Sequence, residues 1–177
     1  MTDEAVVREF KTLIRDVADF PKPGILFKDI TPLLADAAAF ADAVDAMIAP
    51  FAGIAVQKVA GVESRGFIFA TAVAMKLRLP LIPIRKKGKL PYKTREVTYD
   101  LEYGQDTLAV HEDAAREGEQ VLIVDDLLAT GGTVGATAEL VKSLGAHVAG
   151  LSFLIELEFL GGRSRFDGVP IHSVLRY

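Results

Sequence analysis

Hydrophobic positions recur along this chain with two different periods, and together the two periods predict an α/β fold. At helical spacing they fall within residues 6–17, 40–51, 69–77 and 134–144. Short runs rich in branched aliphatic residues lie between these segments, at residues 81–84, 121–124 and 148–155. Runs of this kind are typical of strands that are buried on both faces of a parallel sheet. The pattern therefore predicts a central, mostly parallel sheet flanked by helices.

Two adjacent acids, Asp125 and Asp126, follow the apolar run of residues 121–124, and we predict that the strand ends there. The chain then continues in a phosphate loop (residues 129–133) of small residues: Ala129, Thr130, Gly131, Gly132 and Thr133. Because a predicted helix follows, the loop lies at a helix N-terminus, where unpaired N–H groups and the helix dipole favour an anion. The carboxylates beside it suit the hydroxyls of a ribose 5-phosphate or a hydrated cation.

Two common phosphate-binding loops are excluded by what this stretch lacks. No Lys follows the glycines, which excludes the loop of nucleotide triphosphatases. The pair Gly131–Gly132 does not form the G-x-G-x-x-G pattern of dinucleotide-binding folds.

Four further segments carry candidate chemistry that the residues alone leave open. Residues 20–32, with three prolines and a glycine, form either a hydrophobic plug on the sheet or a cover for a flat ligand. Residues 60–66, the second loop, form a surface turn or another anion site, and Gly61 and Gly66 are expected to supply unusual backbone angles. The basic run of residues 85–91 is a solvated face or an anion clamp. Residues 92–105 predict a hairpin, either plain or a mobile lid.

Composition and charge narrow the class of protein. The chain has 177 residues, half of them hydrophobic and a quarter charged, which suits one globular domain over residues 1–177. A net charge of −4 argues against a general nucleic-acid surface or an anionic membrane surface, and no signal peptide or membrane-spanning run is visible. Because cysteine is absent and the three histidines lack metal-ligand spacing, we expect a cytoplasmic protein without a thiolate or histidine metal site.

Two motifs resemble those of a known family. The run V-D-D-L-L-A-T-G-G-T, residues 124–133, resembles the phosphoribosyl-diphosphate signature of type I phosphoribosyltransferases. The pattern P-G-x-x-F-x-D-I-[ST]-P, kept from Pro23 to Pro32, is similar to the N-terminal element that closes over the base in adenine phosphoribosyltransferases. The resemblance extends over nearly the whole chain. It implies the type I fold, with an N-terminal hood (residues 20–35) and a mobile flap (residues 90–105).

The resemblance also implies an activity and its partners. The reaction it implies is transfer of the 5-phosphoribosyl group from phosphoribosyl diphosphate to adenine, giving AMP and diphosphate. It further implies Mg2+ held through the substrate and water near Asp125 and Asp126, without direct side-chain ligation, and a homodimer that shares its basic run across the interface.

Each site residue is assigned a role through the same resemblance. The adenine pocket is expected to comprise Leu26, Phe27 and Lys28, with Leu128 on the opposite wall. Diphosphate contacts are expected from Glu63, Ser64, Arg65, Arg85, Lys86 and Lys89, with a non-proline cis peptide near Glu63 and Ser64. Asp125 and Asp126 are expected to hold the ribose hydroxyls, and residues 129–133 the 5-phosphate. The catalytic residues implied are Glu102 as the acid that manages the purine proton, Tyr103 as a shield, and Arg65 near both diphosphate and base.

Three alternatives remain at this point. The phosphoribosyl signature does not choose the base, so a transferase for xanthine, hypoxanthine or guanine is the first alternative. A regulator that senses phosphoribosyl diphosphate is the second, although the chain shows neither a basic face nor an added DNA-binding module. A structural α/β protein with an inactive site is the third, and the presence of both acids and the complete phosphate loop speaks against it.

Overall fold

The computed structural model describes residues 4–100 and 105–177 of the chain. Its helices are α1 (Glu4–Thr12), α2 (Thr31–Ala35), α3 (Ala37–Ile48), α4 (Gly66–Leu77) and α5 (Gly132–Ser143). Its strands are β1 (Arg15–Ala18), β2 (Leu26–Asp29), β3 (Lys58–Val62), β4 (Leu81–Lys86), β5 (Thr94–Asp100), β6 (Gln105–His111), β7 (Gln120–Leu128), β8 (His147–Glu156) and β9 (Ile171–Arg176). Among the described residues, no helix combines the length and hydropathy needed to cross a membrane.

Seven of the strands form one sheet in the order β5-β6-β4-β3-β7-β8-β9. Strands β4, β3, β7, β8 and β9 run parallel, whereas β5 and β6 form an antiparallel hairpin attached to β4. Strands β1 and β2 pair with each other in a separate two-stranded sheet. The prediction of a central, mostly parallel sheet flanked by helices is confirmed.

The middle strand β7 shows why the apolar runs carry no alternating polar residues. Its side chains point in turn to opposite faces, with Leu122 and Val124 in one core cluster and Val121 and Ile123 in another. Helices α1 to α4 contribute to the first cluster and α5 to the second, so both faces of the sheet are covered at β7. Burial on both faces requires apolar residues at consecutive positions.

The end of β7 differs from the sequence prediction. The strand does not stop at Asp125 but continues to Leu128, because β8 extends beside it with Leu127 opposite Ile155 and Leu128 opposite Glu156. Backbone pairing with β8 therefore continues past the two acids. Both carboxylates consequently lie on a rigid strand and not in the following loop.

Candidate active site

A cavity of about 440 Å³ opens beyond the carboxyl ends of β3 and β7. This is the edge at which ligands bind in open α/β sheets. Predicted site residues that line it are Phe27, Glu63, Ser64, Arg65, Asp125, Asp126, Ala129, Thr130, Gly131, Gly132 and Thr133. Residues from β2, the second loop and the phosphate loop thus meet in one place, although they are far apart in the sequence.

The two acids are buried at the centre of this cavity. Asp125 is 9% exposed and Asp126 4%, and the Asp126 N–H donates to Asp125 Oδ1 at 2.8 Å. Burial, together with the charge of Asp126 beside it, raises the pKa of Asp125 well above its ordinary value. Burial also raises the pKa of Asp126, although the Arg65 guanidinium 2.6 Å away opposes the rise. A cationic or hydroxyl-bearing ligand would supply the partners that these buried carboxylates need.

The second loop depends on two glycines for close packing and not for unusual backbone angles. Neither glycine lies in the left-handed region. A Cβ on Gly61 would collide with the Cβ of Ala70, and a Cβ on Gly66 would lie 2.5 Å from Asp125 Oδ1. Gly66 begins α4, so its small size lets Asp125 approach the positive end of that helix. The expected cis peptide between Glu63 and Ser64 is present.

The phosphate loop presents a helix N-terminus to the cavity. Gly131 adopts φ +80° and precedes α5, which begins at Gly132 without a side-chain cap. The first N–H groups of a helix have no acceptor within the helix, so this end is suited to an anion. The 3-10 turn Gly162–Arg165 packs closely against the phosphate loop. A Cβ on Gly131 would lie only 2.9 Å from the carbonyl oxygen of Gly162.

The predicted cations of the basic run do not line the cavity, and two of them, Arg85 and Lys89, pair with Glu63. Arg85 Nε lies 3.0 Å from Glu63 Oε2, and Lys89 Nζ lies 2.8 Å from Oε1. The backbone N–H of Lys86 also donates to Oε2, at 3.1 Å. Burial alone would raise the pKa of Glu63, but these donors outweigh it and lower the pKa. Arg85 and Lys89 therefore share one carboxylate, which compensates their positive charge only in part.

The hood contributes one aromatic ring to the cavity. Phe27 lines the wall, and the Arg65 guanidinium carbon lies 4.8 Å from its ring centroid. Leu26 is about half exposed and does not line the cavity. The Lys28 side chain is held elsewhere, 2.6 Å from Asp16 and 4.0 Å from the ring centroid of Tyr177.

The prediction that Leu128 forms the opposite wall is wrong. Leu128 is fully buried in the core cluster beneath α5, and Leu127 lines the cavity instead. Successive side chains of a strand point to opposite faces, so a shift of one residue exchanges a core position for a wall position. Because β7 continues through both residues, the alternation applies to them.

The structure describes the flap up to Asp100 and again from Gln105. Glu102 and Tyr103, predicted as catalytic residues, lie outside the described residues. Tyr99 on β5 places its hydroxyl 3.3 Å from Thr133 Oγ1 in the phosphate loop. The sequence prediction missed Tyr99, although the alternation in β5 indicates it, since Val97 and Tyr99 are both partly buried against the core.

The described residues offer few protein ligands for the expected Mg2+. The described ranges, 4–100 and 105–177, contain no group of three or more His, Cys, Asp or Glu side chains that could hold a metal. The pair Asp125 and Asp126 provides oxygen donors, but too few for a complete coordination shell.

A phosphate loop and a second anion loop, placed at adjacent parallel strands around two buried acids, define a phosphoribosyltransferase-type site. The family model described as "Phosphoribosyl transferase domain" matches residues 30–163. The adenine phosphoribosyltransferase of Symbiobacterium thermophilum is 56% identical over 169 residues, which cover 96% of this chain and 99% of the relative.

Solved structures of adenine phosphoribosyltransferases are also similar to this chain. A crystal structure of adenine phosphoribosyltransferase from Rhodothermus marinus has a TM-score of 0.94 and 48% identity, covering 99% of this chain and 100% of the other. The Saccharomyces cerevisiae enzyme, complexed with D-2,5-dideoxy-2,5-imino-altritol 1,6-bisphosphate and adenine, has a TM-score of 0.92 and 36% identity, covering 98% and 100%. The chain belongs to the adenine phosphoribosyltransferase family.

Proposed function

We propose that this protein transfers the 5-phosphoribosyl group from phosphoribosyl diphosphate to adenine, giving AMP and diphosphate. The observation that carries the proposal is the single cavity shared by the phosphate loop, the second loop and the acids Asp125 and Asp126. The volume of the cavity suits a small ligand that buries most of its own surface there. The names of the relatives support adenine as the base.

In the proposed reaction the sugar is held by charge and position. The 5-phosphate binds the N–H groups of residues 129–133 at the start of α5, and Asp125 and Asp126 accept hydrogen bonds from the ribose hydroxyls. The second loop and the basic run bind the diphosphate. No covalent nucleophile is needed, since the ribose ring oxygen shares the positive charge that develops as the bond from C1 to diphosphate breaks. Positioning and preorganised charge then supply the catalysis.

The base is proposed to bind between the hood and the end of β7. Phe27 offers a ring for stacking, Arg65 lies over that ring, and Leu127 contributes an apolar surface to the same cavity. Main-chain groups of Leu26 and Lys28 are proposed to recognise the exocyclic amine, since the Lys28 side chain is engaged with Asp16.

The chemistry at the base needs a proton acceptor and protection from water. As the new bond forms between C1 and the purine nitrogen, the nitrogen loses its proton, and we assign the acceptor role to Glu102. Tyr103 is proposed to shield the site from water.

Mg2+ is the proposed cofactor. The arrangement fits a cation that takes most of its oxygen ligands from the substrate and water. Among the described residues, the acids on the cavity wall are the pair Asp125 and Asp126 together with Glu63, which is already paired with Arg85 and Lys89. When bound, Mg2+ neutralises charge on the diphosphate leaving group.

We also propose a single domain over residues 1–177 that works in the cytoplasm as a homodimer, with the hood at residues 20–35 and the flap at residues 90–105. The absence of cysteine agrees with a reducing compartment.

The test is to incubate the protein with Mg2+, phosphoribosyl diphosphate and adenine, hypoxanthine, guanine or xanthine separately, and to measure the nucleotide formed. AMP formation with adenine alone supports the proposal. Turnover only with an oxopurine would retain the phosphate sites but reject the assigned base. Absence of turnover with every base would favour a regulator that senses phosphoribosyl diphosphate.

A further inference from the structure

Lys86, a predicted diphosphate contact, already has an acidic partner in this structure. It ends β4, and its Nζ lies 3.0 Å from Asp106 Oδ2 on the neighbouring strand β6. Asp106 is fixed by its own strand, since its Oδ1 accepts a hydrogen bond from the Thr107 N–H at 2.9 Å. The Lys86 side chain is therefore directed toward β6 by a carboxylate that does not line the cavity.

The neighbouring cations are matched in the same way, but by a different acid. Arg85 and Lys89 both bind Glu63, which belongs to the second loop. Glu63 is itself part of the cavity wall, whereas Asp106 belongs to the hairpin of β5 and β6. Of these two acids, Asp106 is thus the one placed to compete with a bound anion from outside the cavity.

Both partners of this pair are charged at neutral pH. The hydrogen bond from Lys86 lowers the pKa of Asp106, and the same contact raises the pKa of Lys86. The pair is partly exposed, with side-chain exposures of 53% for Lys86 and 23% for Asp106. An exposed pair of this kind is weak enough for a multiply charged anion to displace the carboxylate.

We propose that Asp106 is a positioning residue that competes with the diphosphate group for Lys86 and so weakens the binding of both phosphoribosyl diphosphate and the diphosphate product. The proposal rests on the proposed function, since it assigns Lys86 to the diphosphate. It predicts that the protein binds diphosphate less tightly than its basic run allows, which favours release of the product.

The test uses Asp106→Asn, which keeps the acceptor for the Thr107 N–H and removes only the charge. Inorganic diphosphate with Mg2+ is titrated into the protein by calorimetry, and the KM of each substrate is measured separately. We expect the dissociation constant for diphosphate and the KM for phosphoribosyl diphosphate to fall by about two- to fivefold. The KM for adenine should not change, which separates this effect from a general structural one.

Glu96→Gln is the matched control. Glu96 lies on the same hairpin as Asp106, and its carboxylate pairs at 2.7 Å with Lys87, the residue next to Lys86. The substitution therefore makes the same change in net charge without freeing a predicted diphosphate contact. A second variant, Asp106→Asn with Lys86→Met, should lose the gain in affinity. Asp106→Glu keeps the negative charge and should bind diphosphate about as tightly as the wild type does.

Diphosphate binding that is unchanged or weaker in Asp106→Asn would overturn the proposal. So would equal tightening in Glu96→Gln, because general charge would then explain the effect. Absence of AMP formation by the wild-type protein would reject the proposed function instead, and the diphosphate titration would still decide the role of Asp106.

Discussion

Gly66 offers a sharp test of how the second loop serves the acids. In Gly66→Ala the new Cβ would lie 2.5 Å from Asp125 Oδ1 and 3.1 Å from Cγ. The carboxylate must move by roughly 0.9 Å to restore an ordinary contact near 3.4 Å. Because Gly66 does not have a left-handed φ, the substitution adds no backbone strain, and its effect comes from this contact alone.

Two magnitudes follow from that displacement. Inserting a methyl group into a well-packed position costs about 1–3 kcal/mol, which in a domain of this size lowers the Tm by roughly 2–12 °C. A catalytic group displaced by close to 1 Å can lose about a hundredfold in rate, so kcat/KM should fall by about that factor. The KM for adenine should change less, since Asp125 lies at the sugar site in the proposed reaction.

The assay compares Gly66→Ala with Gly135→Ala. Gly135 lies in α5 with nothing within 4 Å of a Cβ, so alanine there should raise stability by about 0.5–1 kcal/mol and leave activity unchanged. Both proteins are measured for AMP formation and for thermal unfolding. If Gly66→Ala retains wild-type kcat/KM and Tm, the argument from close packing against Asp125 is refuted.

Three further substitutions test other contacts. Asp125→Asn should abolish most AMP formation yet stabilise the free protein at neutral pH. Because the pKa of Asp125 is raised in the folded state, the stability of the wild type falls as pH rises above the ordinary pKa of 3.8. The Tm of the variant should therefore exceed that of the wild type by an amount that increases from pH 4 to pH 8, and a constant difference would contradict this. Arg163→Met leaves the buried Glu156 without its bidentate partner and should cost about 3 kcal/mol in urea unfolding, with Arg163→Lys in between; equal stability would refute it. Tyr177→Leu removes the ring that Lys28 covers. It should raise the KM for adenine about two- to threefold without changing the KM for phosphoribosyl diphosphate. An equal rise in both KM values would exclude a specific effect on the hood.

The fold was predictable because its signals are local. The apolar run at residues 121–124 lies within β7, since a strand covered on both faces must be apolar throughout. The run at residues 81–84 lies within β4, but Leu81 and Pro83 are exposed there, so the prediction of burial on both faces is wrong for this strand. The phosphate loop was predictable for a similar reason, because its glycines, its hydroxyls and the following helix are contiguous in the sequence.

What the sequence did not predict depends on contacts between distant segments. The extension of β7 to Leu128 results from pairing with β8, and this pairing decides that Leu127 and not Leu128 lines the cavity. The role of Gly66 depends on the position of Asp125, nearly sixty residues later. In the sequence, nothing distinguishes Asp106 from other surface acids, because only the folded hairpin places it beside Lys86.

The adjacency of β3 and β7 has a consequence for the length of the sugar that the site accepts. The second loop follows β3 and the phosphate loop follows β7, and the two strands are hydrogen-bonded neighbours. Neighbouring strands lie about 4.8 Å apart, a spacing fixed by backbone hydrogen bonds. In the proposed reaction, the sugar phosphate therefore bridges two loops whose supporting strands are joined by backbone hydrogen bonds. The backbone then helps to set the length of sugar phosphate that fits between the two loops.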